Sequence, residues 1–178
     1  MNKQELRIKY SDIRKNIPDE KRKEESFEIT KELLKLIKEN SFSAVLLYAP
    51  KKYEVDVIGV FEEINIPIYF PRCTKEEMNF YEVDDLSKLQ LGNFNVREPE
   101  ESCPVFIPKE NEKYLIIVPG ICFDKNGYRI GYGKGYYDKY LSKFMTYDFC
   151  KVGACFEECL IEDTLHDRFD IKTDKVIY

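Results

Sequence analysis

The chain contains no tryptophan, one histidine and only eight glycines in 178 residues. The lone His166 is too little to complete a common zinc site, and none of the six cysteines (Cys73, Cys103, Cys122, Cys150, Cys155 and Cys159) forms a CxxC pair; they are read as reduced thiols. Long apolar runs are missing. The N-terminal MNKQELRIKYSDIRK lacks the apolar core of a signal peptide, and stretches such as AVLLYA at 44–49 are far too short to span a bilayer, so no membrane association and a cytoplasmic location are expected. There is no excess of positive charge: 28 Lys and Arg face 33 Asp and Glu, a net charge of −5, which argues against broad nucleic-acid binding. A local group of cations still leaves room for an anionic ligand.

What is present is 43% apolar and 14% aromatic residues, too rich in Tyr, Phe and Ile for disorder. A chain of this length buries roughly 70% of its unfolded surface as one domain, residues 1–178, with no second domain required. Leu6, Tyr10 and Ile13 fall at helical spacing from Lys3 to about Asn16, Pro18 interrupts, and a second helix is predicted from Asp19 to Asn40 with Phe27, Leu34 and Ile37 inward. The run SAVLLYA (43–49) then reads as a strand buried on both faces. A helix from Glu54 to Ile64, a strand IPIYFP (66–71) and a half-exposed strand EMNFYEV (77–83) follow, and the segment from Leu86 to Lys109 reads as a long surface loop. YLIIVP (114–119) is the strongest core strand, succeeded by a loop to Gly135, a helix from Tyr136 to Tyr147 and a strand KVGACF (151–156). Alternating buried strands and amphipathic helices predict a three-layer α/β/α domain with a mainly parallel sheet.

Three of the scarce glycines stand in five positions of GYGKGYYD (131–138). In such folds ligands sit outside the C-terminal ends of the strands, which is where this loop falls. Alternating glycines let backbone N–H groups converge on an anion, the following helix presents its N-terminus, and Lys134 adds a charge. A phosphate cradle and a plain strand-to-helix turn are both compatible with this pattern, which is neither GxGxxG nor a P-loop. Asp124, Arg129 and Asp138 share the segment, and Asn126-Gly127 is a turn signal folding Asp124 and Arg129 toward one another. Asp138 serves equally as a partner of the helix dipole. Lys3 and Arg7 lie on one helical face and reach either solvent or a polyphosphate. Glu54 is a helix-start acid or a buried ligand for a substrate N–H, and Asp170 and Asp174 are solvated acids or magnesium ligands.

The sequence VPGICFDKNGYRIGYGKGYYDKYL (118–141) resembles the signature of the 5-formyltetrahydrofolate cyclo-ligase family, also called methenyltetrahydrofolate synthetases: PG, FD, G, then RxGxGxGYYDxxL. The likeness extends to Lys3, Leu6 and Arg7, to Glu54-Val55, to PR at 71–72, to REP at 97–99 and to FD and TD near the end. The resemblance implies an ATP- and Mg2+-dependent conversion of 5-formyltetrahydrofolate to 5,10-methenyltetrahydrofolate: ATP phosphorylates the formyl oxygen, N10 attacks the activated carbon, and phosphate leaves. Positioning and charge stabilisation suffice, without a covalent nucleophile. By the same resemblance, Lys3, Gln4, Glu5, Leu6 and Arg7 line the ATP site, as do Tyr132, Gly133, Lys134, Gly135, Tyr136, Tyr137, Asp138, Lys139 and Tyr140. Asp170 takes magnesium with the nucleotide. Ala49 and Glu54 contact the folate, and Gly135 to Lys139 pass between the two substrates. Arg129, Lys134 and Tyr137 are the expected catalytic residues. Lys134 stands where many relatives carry glycine, Cys159 where glutamine is usual, and Phe169 where histidine is common. A monomer is expected. Rival readings are a non-catalytic folate- or nucleotide-binding homologue and another phosphate-binding enzyme of the same fold.

Overall fold

The computed structural model describes residues 1–92 and 95–178. Helix α1 (Lys3–Asn16) starts from a capping box: the Asn2 side chain accepts from the backbone N–H of Gln4 and Glu5, and the Glu5 carboxylate accepts from Asn2 N–H. Helix α2 (Asp19–Glu39) buries Ser26, Ile29, Thr30, Leu33 and Ile37. The expected inward Phe27 is instead 63% exposed. A step of about 100° per residue carries it off that stripe, and Lys31 covers its ring from 5.4 Å.

Six strands form the central sheet: β1 (Ala44–Leu46), β2 (Ile68–Cys73), β3 (Met78–Glu82), β6 (Lys113–Val118), β9 (Asp148–Ala154) and β11 (Lys175–Ile177), in the order β11-β9-β6-β1-β2-β3. All neighbours are parallel except β3, which runs antiparallel to β2 at the edge. Side chains alternate across it. Leu115 and Ile117 of β6 face α1 and α2, while Tyr114, Ile116 and Val118 face Tyr140, Leu141 and Phe149 on the other side. The three-layer α/β reading therefore holds, with strand boundaries moved by a few residues.

Four expected elements differ in the structure. No helix begins at Glu54: residues 52–54 form a turn, and helix α3 covers only Gly59–Glu63. The chain between is tied down in other ways. Glu54 Oε2 accepts from Lys51 N–H (2.7 Å), Val55 C=O accepts from Tyr48 OH (2.8 Å), and Asp56 N–H donates to Ser26 Oγ (3.0 Å). The supposed surface loop from Leu86 to Lys109 carries a hairpin of β4 (Leu89–Leu91) and β5 (Arg97–Pro99), and it buries Leu89, Cys103 and Phe106. Phe106 packs on Tyr69 and Tyr114 with centroids 4.8 and 5.0 Å away. Asn93 and Phe94 of that segment lie outside the described residues. The loop after β6 contains a second hairpin, β7 (Cys122–Asp124) with β8 (Arg129–Ile130), and β10 (Leu160–Ile161) joins it in parallel. Helix α4 (Tyr136–Lys143) ends before Phe144, whose backbone leaves the helical region at φ −118°.

All six cysteines are without disulfides. Burial pushes the thiol of Cys122 up to about 12 and that of Cys159 up to about 11, so neither is a thiolate at neutral pH. No helix among the described residues is long and apolar enough to cross a membrane.

The burial pattern of α2 predicts opposite outcomes for two of its apolar residues. Leu33→Ala, at a fully buried site, should cost about 2–5 kcal/mol in urea denaturation, whereas Phe27→Ala should stay within about 0.5 kcal/mol of the parent.

Candidate active site

The chain leaves β1 toward β2 on one side and leaves β6 toward β9 on the other, so a crevice opens at the C-terminal ends of β1 and β6. A cleft of about 250 Å³ occupies that place. Tyr48 and Ala49 follow β1 into it, Pro119 follows β6, and Pro71 and Cys73 come from the end of β2. Val96 and Glu98 of the β4–β5 hairpin form one wall, and Gly131, Tyr132 and the stretch from Lys134 to Asp138 contribute another.

The buried charges around the cleft are paired across elements. Glu54 is 8% exposed; its Oε1 accepts from Tyr132 OH in a short hydrogen bond, and Tyr132 Oη accepts in turn from Arg14 Nη2 at 2.8 Å. Part of the Tyr132 ring is exposed, but its hydroxyl is enclosed, and burial together with the Glu54 carboxylate pushes its pKa up. Lys51 Nζ sits 3.9 Å over the same ring. On the other side, Arg129 Nη2 pairs with Asp138 Oδ1 at 2.9 Å, Arg129 Nη1 donates to Ile171 C=O at 3.1 Å, and Ile171 N–H donates to the same Asp138 oxygen at 3.0 Å. Asp138 thus joins the first turn of α4 to β8 and the C-terminal segment; it does more than oppose a dipole. Asp124 and Arg129, adjacent across the hairpin, do not pair: Asp124 is saturated by the backbone N–H groups of Asn126 and Tyr128 and by Thr164.

The hydroxyl of Tyr137 is buried against the cleft with no hydrogen-bond partner among the described residues. Burial, then the nearby Glu54, holds it well above the ordinary tyrosine pKa, so it is a phenol at any physiological pH. Burial followed by Glu98 pushes the Cys73 thiol up to about 11, which removes it as a nucleophile. Lys134 is exposed at the rim and makes no ion pair among the described residues.

The predicted nucleotide residues divide. Arg7 Nε donates to Gly131 C=O at 2.9 Å, so α1 lies directly over the glycine loop, and Lys3 pairs with Asp167 (2.7 Å) and with Asp170. Gln4 receives Arg7 Nη1 at 3.1 Å, and Glu5 is occupied by the capping box. Leu6 and Tyr140, expected to line the ATP site, are instead core residues at 3% and 2% exposure, because they fall on the inner faces of α1 and α4. Lys139 is exposed outside the cleft lining. Tyr132 hydrogen-bonds toward Glu54, and Tyr136 OH donates to Thr74 C=O at 2.9 Å. Asp174 sits apart, paired with Lys151 at 3.0 Å at β9. Sequence reading missed Tyr48, Lys51, Cys73 and Val96, which no motif marks, and Arg14, which the seven-residue step from Arg7 puts on the same side of α1.

The glycines of the loop are not equivalent. Gly133 and Gly135 have φ of 93° and 65°, and Gly135 is the N-terminal cap of α4; Gly131 has no such constraint and open space where a Cβ would be. The turn-making half of the GYGKGYYD reading is therefore visible in Gly133 and Gly135.

The model for the 5-formyltetrahydrofolate cyclo-ligase family matches residues 1–178. The chain is 30% identical over 170 residues to a Schizosaccharomyces pombe protein named "Probable 5-formyltetrahydrofolate cyclo-ligase", covering 86% of this chain and 83% of that protein. Among solved structures it is similar to the NMR structure of Aquifex aeolicus 5,10-methenyltetrahydrofolate synthetase, with a TM-score of 0.82 and 33% identity over 99% of this chain and 89% of the other. A 5,10-methenyltetrahydrofolate synthetase from Mycoplasma pneumoniae shares the fold at a TM-score of 0.78 and 22% identity, over 99% and 98% of the two chains.

Alanine at two of the loop positions should separate strain from space. Gly135→Ala places an L-residue in the left-handed region and should cost about 1–2 kcal/mol in thermal or urea denaturation, while Gly131→Ala should leave stability unchanged within about 0.5 kcal/mol.

Proposed function

Because the chain belongs to the 5-formyltetrahydrofolate cyclo-ligase family, we propose that it converts 5-formyltetrahydrofolate to 5,10-methenyltetrahydrofolate, using ATP and releasing ADP and phosphate. The observation that carries the reading is the cleft itself: a buried, oriented carboxylate, Glu54, lines the same cavity as the glycine loop, whose rim lysine has no ion-pair partner among the described residues. A carboxylate in an apolar cleft suits the N–H groups of a pterin, and exposed amides beside a cation suit phosphates.

In this reading Glu54 and Ala49 hold the pterin, and Lys3, Arg7, Gly131, Gly133, Lys134 and Gly135 hold the nucleotide, while the Tyr132 side chain turns away from it to Glu54. The γ-phosphoryl group of ATP passes to the formyl oxygen and leaves ADP. N10 then attacks the formyl carbon, the ring closes with loss of the N10 proton to the departing phosphate or to water, and the C–O bond breaks with both electrons leaving on phosphate. Such a transfer needs in-line positioning and charge compensation more than chemistry from side chains. Lys134 and the Arg129 guanidinium, fixed by Asp138 and Ile171, supply positive charge where the phosphoryl group moves, and Tyr137 has its proton available for a substrate oxygen.

Magnesium fits Asp170 as one carboxylate of a site completed by phosphates and water: Lys3 and Asp167 N–H both fall on its Oδ2, leaving Oδ1 for a hard cation. Bound there, the ion would offset the negative charge of the polyphosphate. We further propose that the 178 residues work as one domain, as a monomer in the cytoplasm.

Mixing the protein with 5-formyltetrahydrofolate and Mg-ATP should produce the near-ultraviolet absorbance of the methenyl product; no ATP-dependent rise overturns the reading. Glu54→Gln should raise KM for the folate about 10- to 100-fold, the size of a lost hydrogen bond to a charged group, with KM for ATP unchanged. Lys134→Ala should do the reverse, weakening ATP use several-fold and sparing the folate; equal loss of both substrates in either variant counts against the assigned roles.

A further inference from the structure

Arg14 is a charge in an unusual place. It stands two turns beyond Arg7 on α1, 7% exposed, where burial of a guanidinium is costly unless its donors are satisfied. Its Nη1 donates to Gly120 C=O at 3.0 Å, and its Nη2 donates to Tyr132 Oη at 2.8 Å; Nε is buried with no partner among the described residues, so the side chain is anchored through its two terminal nitrogens.

The directions of these bonds follow from chemistry. A guanidinium has donors only, so the Tyr132 oxygen must accept from Arg14. The single phenolic proton is then committed to the other neighbour, Glu54 Oε1. Glu54 Oε2 meanwhile accepts from Lys51 N–H at 2.7 Å. A carboxylate has about two acceptor sites on each oxygen, and one on each is now taken from the protein side. What remains is one acceptor on each oxygen, a pair suited to two neighbouring N–H donors in one plane.

We propose that Arg14 is a positioning residue which, through Tyr132, orients Glu54 for bidentate recognition of an amidine-like N–H pair, as on a 2-amino-4-oxopteridine. The inference rests on the folate reading given above and adds a residue that never touches the substrate. Without Arg14 the phenol of Tyr132 can turn, and Glu54 loses the donor that fixes its plane. Arg14 and Tyr132 act as one unit, so their effects do not add.

The test uses the full-length protein, steady-state kinetics in each substrate, and calorimetric titration with 5-formyltetrahydrofolate in the absence of ATP. Arg14→Gln should raise folate KM and the folate dissociation constant about tenfold, with kcat and KM for ATP within about twofold of the parent. Tyr132→Phe should match it, the double variant should be no worse than either single one, and Arg14→Lys should recover part of the loss. A rise in KM for ATP parallel to that for the folate would reveal a merely structural role and overturn the proposal, as would losses that multiply in the double variant. Should Arg14→Gln fail to fold, Tyr132→Phe decides alone, since it removes one hydroxyl from a half-exposed ring; an unchanged folate KM then sinks the idea. Parent protein that neither binds nor turns over the folate overturns the functional reading and this inference with it, whereas an active parent with unaltered variants overturns the role of Arg14 only.

Discussion

Two adjacent parallel strands that hand the chain on in opposite directions cannot have the gap between their C-terminal ends closed by either connection. That is the position of β1 and β6. The residues that follow them, Tyr48-Ala49 and Pro119, face an opening which the fold leaves uncovered, and the rest of the site is arranged around it. The walls come from segments with no place in the central sheet: the β4–β5 hairpin on one side and the glycine loop, stretched between β8 and α4, on the other. Their sequence is set by the opening they must border, which is why charged and conformationally permissive residues concentrate there.

Charged side chains buried beside the cleft must find their partners within the protein, and the structure supplies them by pairing across elements. Arg129 and Asp138 are joined by Ile171, which brings β8, α4 and the C-terminal segment to one point. Arg14, Tyr132 and Glu54 do the same for α1, the glycine loop and the turn after β1. Each group belongs to a different stretch of chain. Neither cluster forms until all three stretches are in place, so completion of the site and completion of the fold coincide. Among the described residues the Tyr137 hydroxyl at the cleft has no hydrogen-bond partner and the Lys134 ammonium no ion pair, so neither is committed to the protein.

The sequence made the layers legible because period-2 and period-3.6 patterns are strong in the buried strands and in α1. The central run KYLIIV is apolar on both faces, as a strand inside a parallel sheet has to be. It misled where local pattern and tertiary contact disagree. Phe27 is apolar but lies off the inward stripe, and Glu54 looks like a helix start but is held in a turn by its own carboxylate. The segment from Leu86 to Lys109 has little period because its short strands pair only with one another, with Phe106 buried through aromatic neighbours distant in sequence. Among site residues, the glycine loop, Glu54 and Arg129 were readable from local chemistry together with family likeness. Cys73, Val96 and Arg14 were not, since what makes them part of the site is the side chain opposite them.

Helix α1 shows why a functional element can be hidden in an ordinary amphipathic pattern. Leu6 dock it on the core, and that docking fixes the rotation at which its cations project. Lys3 then meets Asp167 and Asp170, Arg7 meets the carbonyl of Gly131, and Arg14 meets Tyr132. The three contacts run from the expected nucleotide end of the site to its folate end along one rigid rod. A rotation of α1 that served one contact would displace the other two, so the same packing that buries Leu6 sets the spacing between these three contacts. The spacing of charges along α1 is thus a specification of distance, and it acquires that meaning only when the glycine loop folds beneath it.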